Sequence, residues 1–185
     1  SACVSNYLNV VDTNISLNKI NPFVNRTVSV HSVLTPGRVD NRARISYVNN
    51  SSEGYVNYVN IYLPVDSVTN DLSLNEVILK PSDIVSKRIS DFLQVSVLIK
   101  VAPQSQTNLE INYAQVYPSV PRLSYQLIIP VQPGLTTNHT SVAVDYPPSW
   151  YVSTPLQPSV ATSGQLRYND LNFPYLLTLD LYPQP

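Results

Sequence analysis

Period two governs this chain. Tyr55, Val59, Ile61 and Leu63 share one side of an extended segment, and Leu93, Val95, Val97, Ile99 and Val101 repeat the pattern over a longer run. Leu109, Ile111, Tyr113 and Tyr117 make a third such face, and Leu123, Tyr125, Leu127, Ile129 and Val131 a fourth. Side chains of a strand point alternately to opposite faces, so apolar residues at every second position give one buried and one wetted face. Strands of this kind pair antiparallel and must be covered on one side only. Thr27–Leu34, Arg44–Asn49, Leu72–Lys80, Ser141–Tyr146, Gln165–Tyr168 and Tyr175–Tyr182 carry shorter versions of the pattern, rich in β-branched residues and Tyr. The expectation is an all-β chain of about ten strands.

Punctuation agrees with this reading. There are 16 prolines and only 4 glycines. Proline cannot donate to a ladder and belongs at strand ends; Pro22, Pro36, Pro64, Pro81, Pro103 and Pro118 stand where alternation stops. Tyr146–Pro158 reads as an extended loop or irregular edge strand. One short helix is expected from a cap at Ser82 through Ile89, with Asp83 at its positive end. The fold class is an antiparallel β-sandwich, immunoglobulin- or pilin-like, with a jelly roll as the alternative.

The N-terminal segment stands apart. Ala2, Val4, Leu8 and Val10 alternate with polar positions, interrupted by Asn6. A polar stretch, Asp12–Asn14, follows, and Asn18–Pro22 reads as a turn. The chain divides into a leading strand and tether, 1–20, and a sandwich, 21–185. Two readings stand side by side: the strand folds back as the first strand of its own sandwich, or it completes a neighbour's sheet by donor-strand complementation. The second is a head-to-tail contact, which builds a filament.

Charge limits the partners. Only 12% of residues are charged and the net charge is -1, so no basic field attracts nucleic acid or an anionic membrane. The longest strongly apolar stretches, such as Val95–Ala102, are far shorter than the ~20 residues of a membrane helix. Few carboxylates also predict tolerance of acid. With no Met in the chain, Ser1 is expected to follow a removed leader.

Acceptors for N-linked glycans are expected at Asn14, Asn25, Asn49, Asn50 and Asn138, each the first residue of Asn-x-Ser/Thr. Roughly three would arise by chance in such a composition, so their placement in loops or loop edges weighs more than their number. Used acceptors imply export.

Sites of chemistry are scarce. His31 reads as structural and His139 lies inside a sequon. Cys3, the single cysteine, reads as a small apolar side chain. Asp66 and Asp71 flank a turn that reads as solvated rather than calcium-binding. An isopeptide among Lys100, Glu110 and Asn112 is disfavoured because the strand pattern puts Lys100 on the polar face. No catalytic, cofactor or metal residues are assigned, and no cofactor is expected. Tyr58 and Tyr62 share a face with Asn60 and are candidates for exposure.

The leading strand Ala2–Val10, the tether, the all-β body and the acceptors Asn14, Asn25, Asn50 and Asn138 together resemble the thread filament subunits of Sulfolobus-type archaea. That resemblance implies a secreted, glycosylated, pilin-like sandwich joined to copies of itself by donor strands. It implies a cell-surface fibre for adhesion or biofilm, with itself as partner and without enzymatic activity. A jelly-roll capsid protein of a virus is the alternative. A basic genome-binding arm is not part of that alternative, since Lys19 is the one basic residue among the first 25. A carbohydrate-binding module ranks third, with Trp150 alone as a candidate platform, and an enzyme last.

Overall fold

The computed structural model describes residues 1–15, 21–130, 132, 138–169, 171 and 175–183. Among these residues sixteen strands follow one another. They are β1 (Ala2–Tyr7), β2 (Asn9–Asn14), β3 (Val24–Thr35), β4 (Arg38–Asn49), β5 (Tyr55–Pro64), β6 (Val68–Leu74), β7 (Val77–Ile78) and β8 (Ile84–Ile89). Then come β9 (Phe92–Val101), β10 (Ser105–Val116), β11 (Leu123–Ile129), β12 (Asn138–Asp145), β13 (Trp150–Ser153), β14 (Val160–Thr162), β15 (Gln165–Tyr168) and β16 (Tyr175–Pro183). The turn Asn18–Pro22 falls partly, and Val131 wholly, outside the described residues.

One sheet has eight strands in the order β14-β15-β12-β3-β4-β10-β6-β7. Two sheets have four strands each, β1-β11-β16-β13 and β2-β5-β9-β8. All three contribute to one apolar core, so the molecule is sandwich-like and forms no closed barrel. The alternating residues supply that core: Val59, Ile61, Leu63, Ile99, Leu109, Ile111 and Leu127 are fully buried.

Local chemistry explains the connections. In the β3–β4 turn Pro36 presets φ and Gly37 takes φ 85°, which suits a type II turn. A Cβ at Gly37 would also lie 3.3 Å from the Tyr117 carbonyl oxygen. The two-residue turn between β6 and β7 places Asn75 and Glu76 at φ 48° and 69°, as a tight hairpin demands.

The fold departs from expectation in three places. The helix after Ser82 is absent: Pro81–Asp83 make a single 3-10 turn, and Ile84–Ile89 form an edge strand paired with β9. Ile84, Val85 and Ile89 are β-branched, and Phe92–Val101 offers a ladder edge, so tertiary pairing decides. Among the described strands two pairs are parallel, β1 with β11 and β12 with β3, and the others are antiparallel. The strand count exceeds ten because the leading segment breaks in two and short edge strands such as β7, β13 and β14 carry too few residues for a visible period.

Candidate functional site: the leading strand and its groove

The leading segment is an interior strand of its own chain. Its even-numbered amides face β11: Ala2 and Leu8 donate to the carbonyls of Arg122 and Ile128, each at 2.9 Å. Asp12 continues that side by donating to Oε1 of Gln132 at 2.7 Å. The opposite edge faces β5, where Asn9–Asn14 pair antiparallel with Asn57–Tyr62 and Ile15 donates to the Val56 carbonyl. One continuous segment thereby joins the two four-stranded sheets into a layer over the eight-stranded sheet.

Its inward face is Ala2, Val4, Asn6, Leu8, Val10 and Asp12. Val4, Leu8 and Val10 are buried, and Ala2 packs against the core. Burial contributes roughly 1.5–3 kcal/mol for each large apolar side chain. Asn6 does not interrupt the alternation; it is a fully buried member of it.

Asn6 is the hub of a neutral network. Its Nδ2 donates to Oδ1 of Asn41 and to the Tyr125 hydroxyl, both at 3.0 Å. The Tyr113 hydroxyl donates to its Oδ1 at 3.0 Å. Ser32 donates to Asn41 Oδ1 at 2.7 Å and lies 2.9 Å from the Tyr125 hydroxyl. Burial pushes the Tyr125 phenol up to about 12, although Asn6 and Ser32 pull it down, and drives Tyr113 further still. Both stay neutral.

Asp12 is the hub of a charged one. Its Oδ2 accepts from Nη1 of Arg26 at 2.7 Å, with both side chains about 4% exposed. Its Oδ1 accepts from the Tyr47 hydroxyl at 2.6 Å and from Asn57 Nδ2 at 2.7 Å. Arg26 Nη1 also donates to the Val10 carbonyl at 2.9 Å. Burial and the nearby Asp12 charge hold the Tyr47 phenol well above its ordinary range. The signal for both hubs was in the sequence: they keep the even parity of the apolar positions.

These two positions also select register. An alternating strand that slips by one residue turns its apolar face outward, but a slip by two preserves it. Here a two-residue slip would move Asn6 and Asp12 off their partners and bury unpaired polar groups.

The polar stretch Asp12–Asn14, expected to open the tether, is strand instead. Asp12–Asn14 are the end of β2, and residues 16–20, including Ser16 of the first sequon, lie outside the described residues. Asn14 sits opposite Asn57 at the strand end and donates to Asn21 at 2.6 Å. Asn25 lies on the outer, wetted side of β3, partly exposed. Of the overlapping pair, Asn50 is exposed, whereas Asn49 is fully buried. Asn49 Nδ2 donates to the carbonyls of Glu53, Val101 and Ala102, and its Oδ1 accepts from Ser51. A glycan on Asn49 does not fit this fold, because the acceptor nitrogen is spent on the loop behind β4. Asn138 begins β12; its side chain lies outside the described residues.

The remaining flagged residues separate. His31 pairs with Asp145 across the outer face at 2.8 Å. Asp66 and Asp71 take different partners, Gln115 and Asn112. Glu110 lies between Arg42 and Arg44 on the eight-stranded sheet, while Lys100 is exposed on a four-stranded one, so no isopeptide triad forms. Cys3 is exposed rather than packed. Tyr58 and Tyr62 are half-buried. Among the described residues no three His, Cys, Asp or Glu side chains gather to hold a metal ion, and no helix is long and apolar enough to cross a membrane.

No protein-family model and no curated protein matches the sequence. Solved structures do match in shape. A candidate nutrient-binding protein of Legionella pneumophila superposes with a TM-score of 0.63 at 9% identity, over 96% of this chain and 71% of that one. A variant of the M1 zinc metallopeptidase of Deinococcus radiodurans gives 0.50 at 11% identity, over 86% of this chain and 42% of the peptidase. Legionella pneumophila aminopeptidase A gives 0.48 at 13% identity, over 92% of this chain and 22% of its own. At these identities the first two likenesses are ones of fold alone, and the chain spans less than half of either peptidase.

Proposed function

We propose that the protein is a structural subunit of an extracellular, glycosylated filament in which the leading strand of one copy completes the body of the next. The observation that carries this reading is the position of residues 2–14: the leading segment occupies an interior place between β11 and β5. Without it, two sheet edges and the Asn6 and Asp12 partners would be left open, a state that invites another strand. In the closed single chain the segment fills its own groove. In the fibre a neighbour's copy makes the same contacts, so exchange costs no native interaction beyond the ordering of the link. The exposed acceptor Asn50, the sequons at Asn14 and Asn25, and the resemblance to thread subunits support an exterior location. Adhesion or biofilm formation is the role that follows, with the chain itself as partner.

The test starts from unfolded chain, so that closed monomers do not block exchange. Refolding at high concentration should give fibres by electron microscopy. A variant lacking residues 1–12 should give none, and a peptide of residues 1–14 should bind that variant and restore its stability. Fibres from the truncated variant, or single particles from the intact chain under every refolding concentration, would overturn the proposal.

A further inference from the structure

The outer face of the eight-stranded sheet carries a groove that the filament reading does not use. Its floor is the parallel pair β3–β12, where Ser29 stands opposite Ser141 and His31 opposite Ala143. One wall is β15, which brings Arg167 into register with Ala143. The other is β4, which places Arg42 opposite His31 and Arg44 opposite Ser29. Small floor residues between long walls leave a cavity of about 360 Å³. A second space of about 280 Å³ continues along the strands past Ser29 and Ser141 to Thr27 and His139. The walls stand three strand spacings apart, about 14 Å between backbones.

Its charge is unbalanced. Glu110 is shared by Arg42 and Arg44, through Nε contacts of 2.8 and 3.1 Å. Asp145 takes His31 and the Gln165 amide. Arg167 donates its Nε to Gln165 at 2.9 Å and, among the described residues, forms no salt bridge, although its charge acts on Asp145. Three guanidinium groups thus face two carboxylates, both already engaged. Guanidinium forks match planar or tetrahedral oxyanions better than any other side chain. The rest of the lining is Ser, Asn, Gln and His with Val30, Val142 and Ala143, and it holds no Phe, Tyr or Trp, unlike the apolar pockets that take drug-like ligands.

We infer that this groove binds an acidic saccharide, with its carboxylate or sulfate between Arg167 and Arg42 and its hydroxyls along Ser29, Ser141 and Thr27. The inference does not depend on polymerisation, since the groove belongs to one chain.

Calorimetry on the intact monomer tests it with a trigalacturonate, a sulfated galactose oligomer and a neutral galactose oligomer. Either or both acidic sugars should bind, and which one does identifies the acid group; the neutral one should bind at least about tenfold more weakly. Arg42→Gln with Arg167→Gln should weaken acidic-sugar binding by about tenfold or more, whereas Lys87→Gln with Arg88→Gln on the distant strand β8 should leave it within about twofold. Far-ultraviolet circular dichroism checks that these surface variants fold. No binding by either acidic sugar at millimolar concentration, equal loss in both double variants, or inorganic sulfate binding as tightly as the oligomers would overturn the inference.

Discussion

Two polar hubs lie six residues apart on the leading segment, one in β1 and one in β2, and they hold it by different physics. Around Asn6 every group is neutral, and each contact is an ordinary hydrogen bond of 2.7–3.0 Å. Around Asp12 a carboxylate and a guanidinium have both left water. A neutral network of this kind contributes modestly when made and costs moderately when cut. A buried ion pair contributes little net stability, yet loses much when one partner is removed. The difference teaches that the two ends of the leading strand have different tolerances: its β5 end is all-or-none, and its β11 end is graded.

The sharpest way to break that contrast is at Asp12. Asp12→Ala leaves Arg26 buried without its counter-charge and strips acceptors from Tyr47 and Asn57. We expect a loss of about 3–5 kcal/mol in urea unfolding. Replacing both partners, as Asp12→Leu with Arg26→Met, should cost clearly less than Asp12→Ala alone. A double variant as unstable as the single one would show that the pair is an ordinary stabilising contact and remove the contrast.

Asn6→Ala is the matching cut in the neutral network. It orphans Asn41 Oδ1 from one donor and the Tyr113 hydroxyl from its acceptor, which should cost about 1–3 kcal/mol. Asn6→Leu, which restores volume and apolar character, should recover part of that loss. In exchange, it should relax the barrier to a two-residue slip, read as a second set of β1 amide resonances. A single, unchanged set would mean that register is selected at Asp12 alone.

Alkali separates the hubs by the tyrosines they bury. Tyr125 is raised to about 12 chiefly by burial, and Tyr113 and Tyr47 are raised by the same cause. A folded pKa above the unfolded one gives stability that is complete below about pH 10 and is lost as pH rises toward the folded value. Each such phenol should therefore remove about 1.4 kcal/mol per pH unit above pH 10. Tyr125→Phe should flatten that slope by one tyrosine's share in thermal melts at pH 10–12, and an unchanged slope would place the alkaline sensitivity elsewhere.

Much of the architecture was legible from parity alone. The four long alternating faces became β5, β9, β10 and β11, and Pro64, Pro81 and Pro103 stand at strand ends or turns. What parity does not carry is partnership. Nothing in Ala2–Tyr7 says that its neighbour is Leu123–Ile128 in parallel, because that choice is made by packing across more than a hundred residues. The same holds for the outer groove, whose walls come from β4 and β15 and whose floor comes from β3 and β12. Asn6 and Asp12 keep the inward parity, but a polar residue at an apolar position reads from sequence as a break or a tether, because its partners come from distant strands. Asn49 was hidden for a similar reason: a sequon marks a possible acceptor, and only the fold shows its nitrogen committed to three carbonyls.

The smallest effects belong to the ion pairs of the outer face, and they bear on acid tolerance. Partial burial opposes ionisation of Glu110, but the hydrogen bonds and charges of Arg42 and Arg44 outweigh it, leaving the carboxyl below its ordinary range. Asp145 is lowered in the same manner, with burial opposed by Gln165, His31 and Arg167. A depressed folded pKa gives stability that is present above the unfolded value and lost as pH falls through the folded one. These groups therefore lose their contribution only below the normal carboxylate range, and partial solvent exposure keeps each below about 1 kcal/mol. Glu110→Gln should lower stability by that much at pH 7 and flatten the acid limb below about pH 4. If the variant instead lost several kcal/mol at pH 7, the outer face would rival the buried Asp12–Arg26 pair. The division between a demanding interior strand and an adaptable outer surface would then fail.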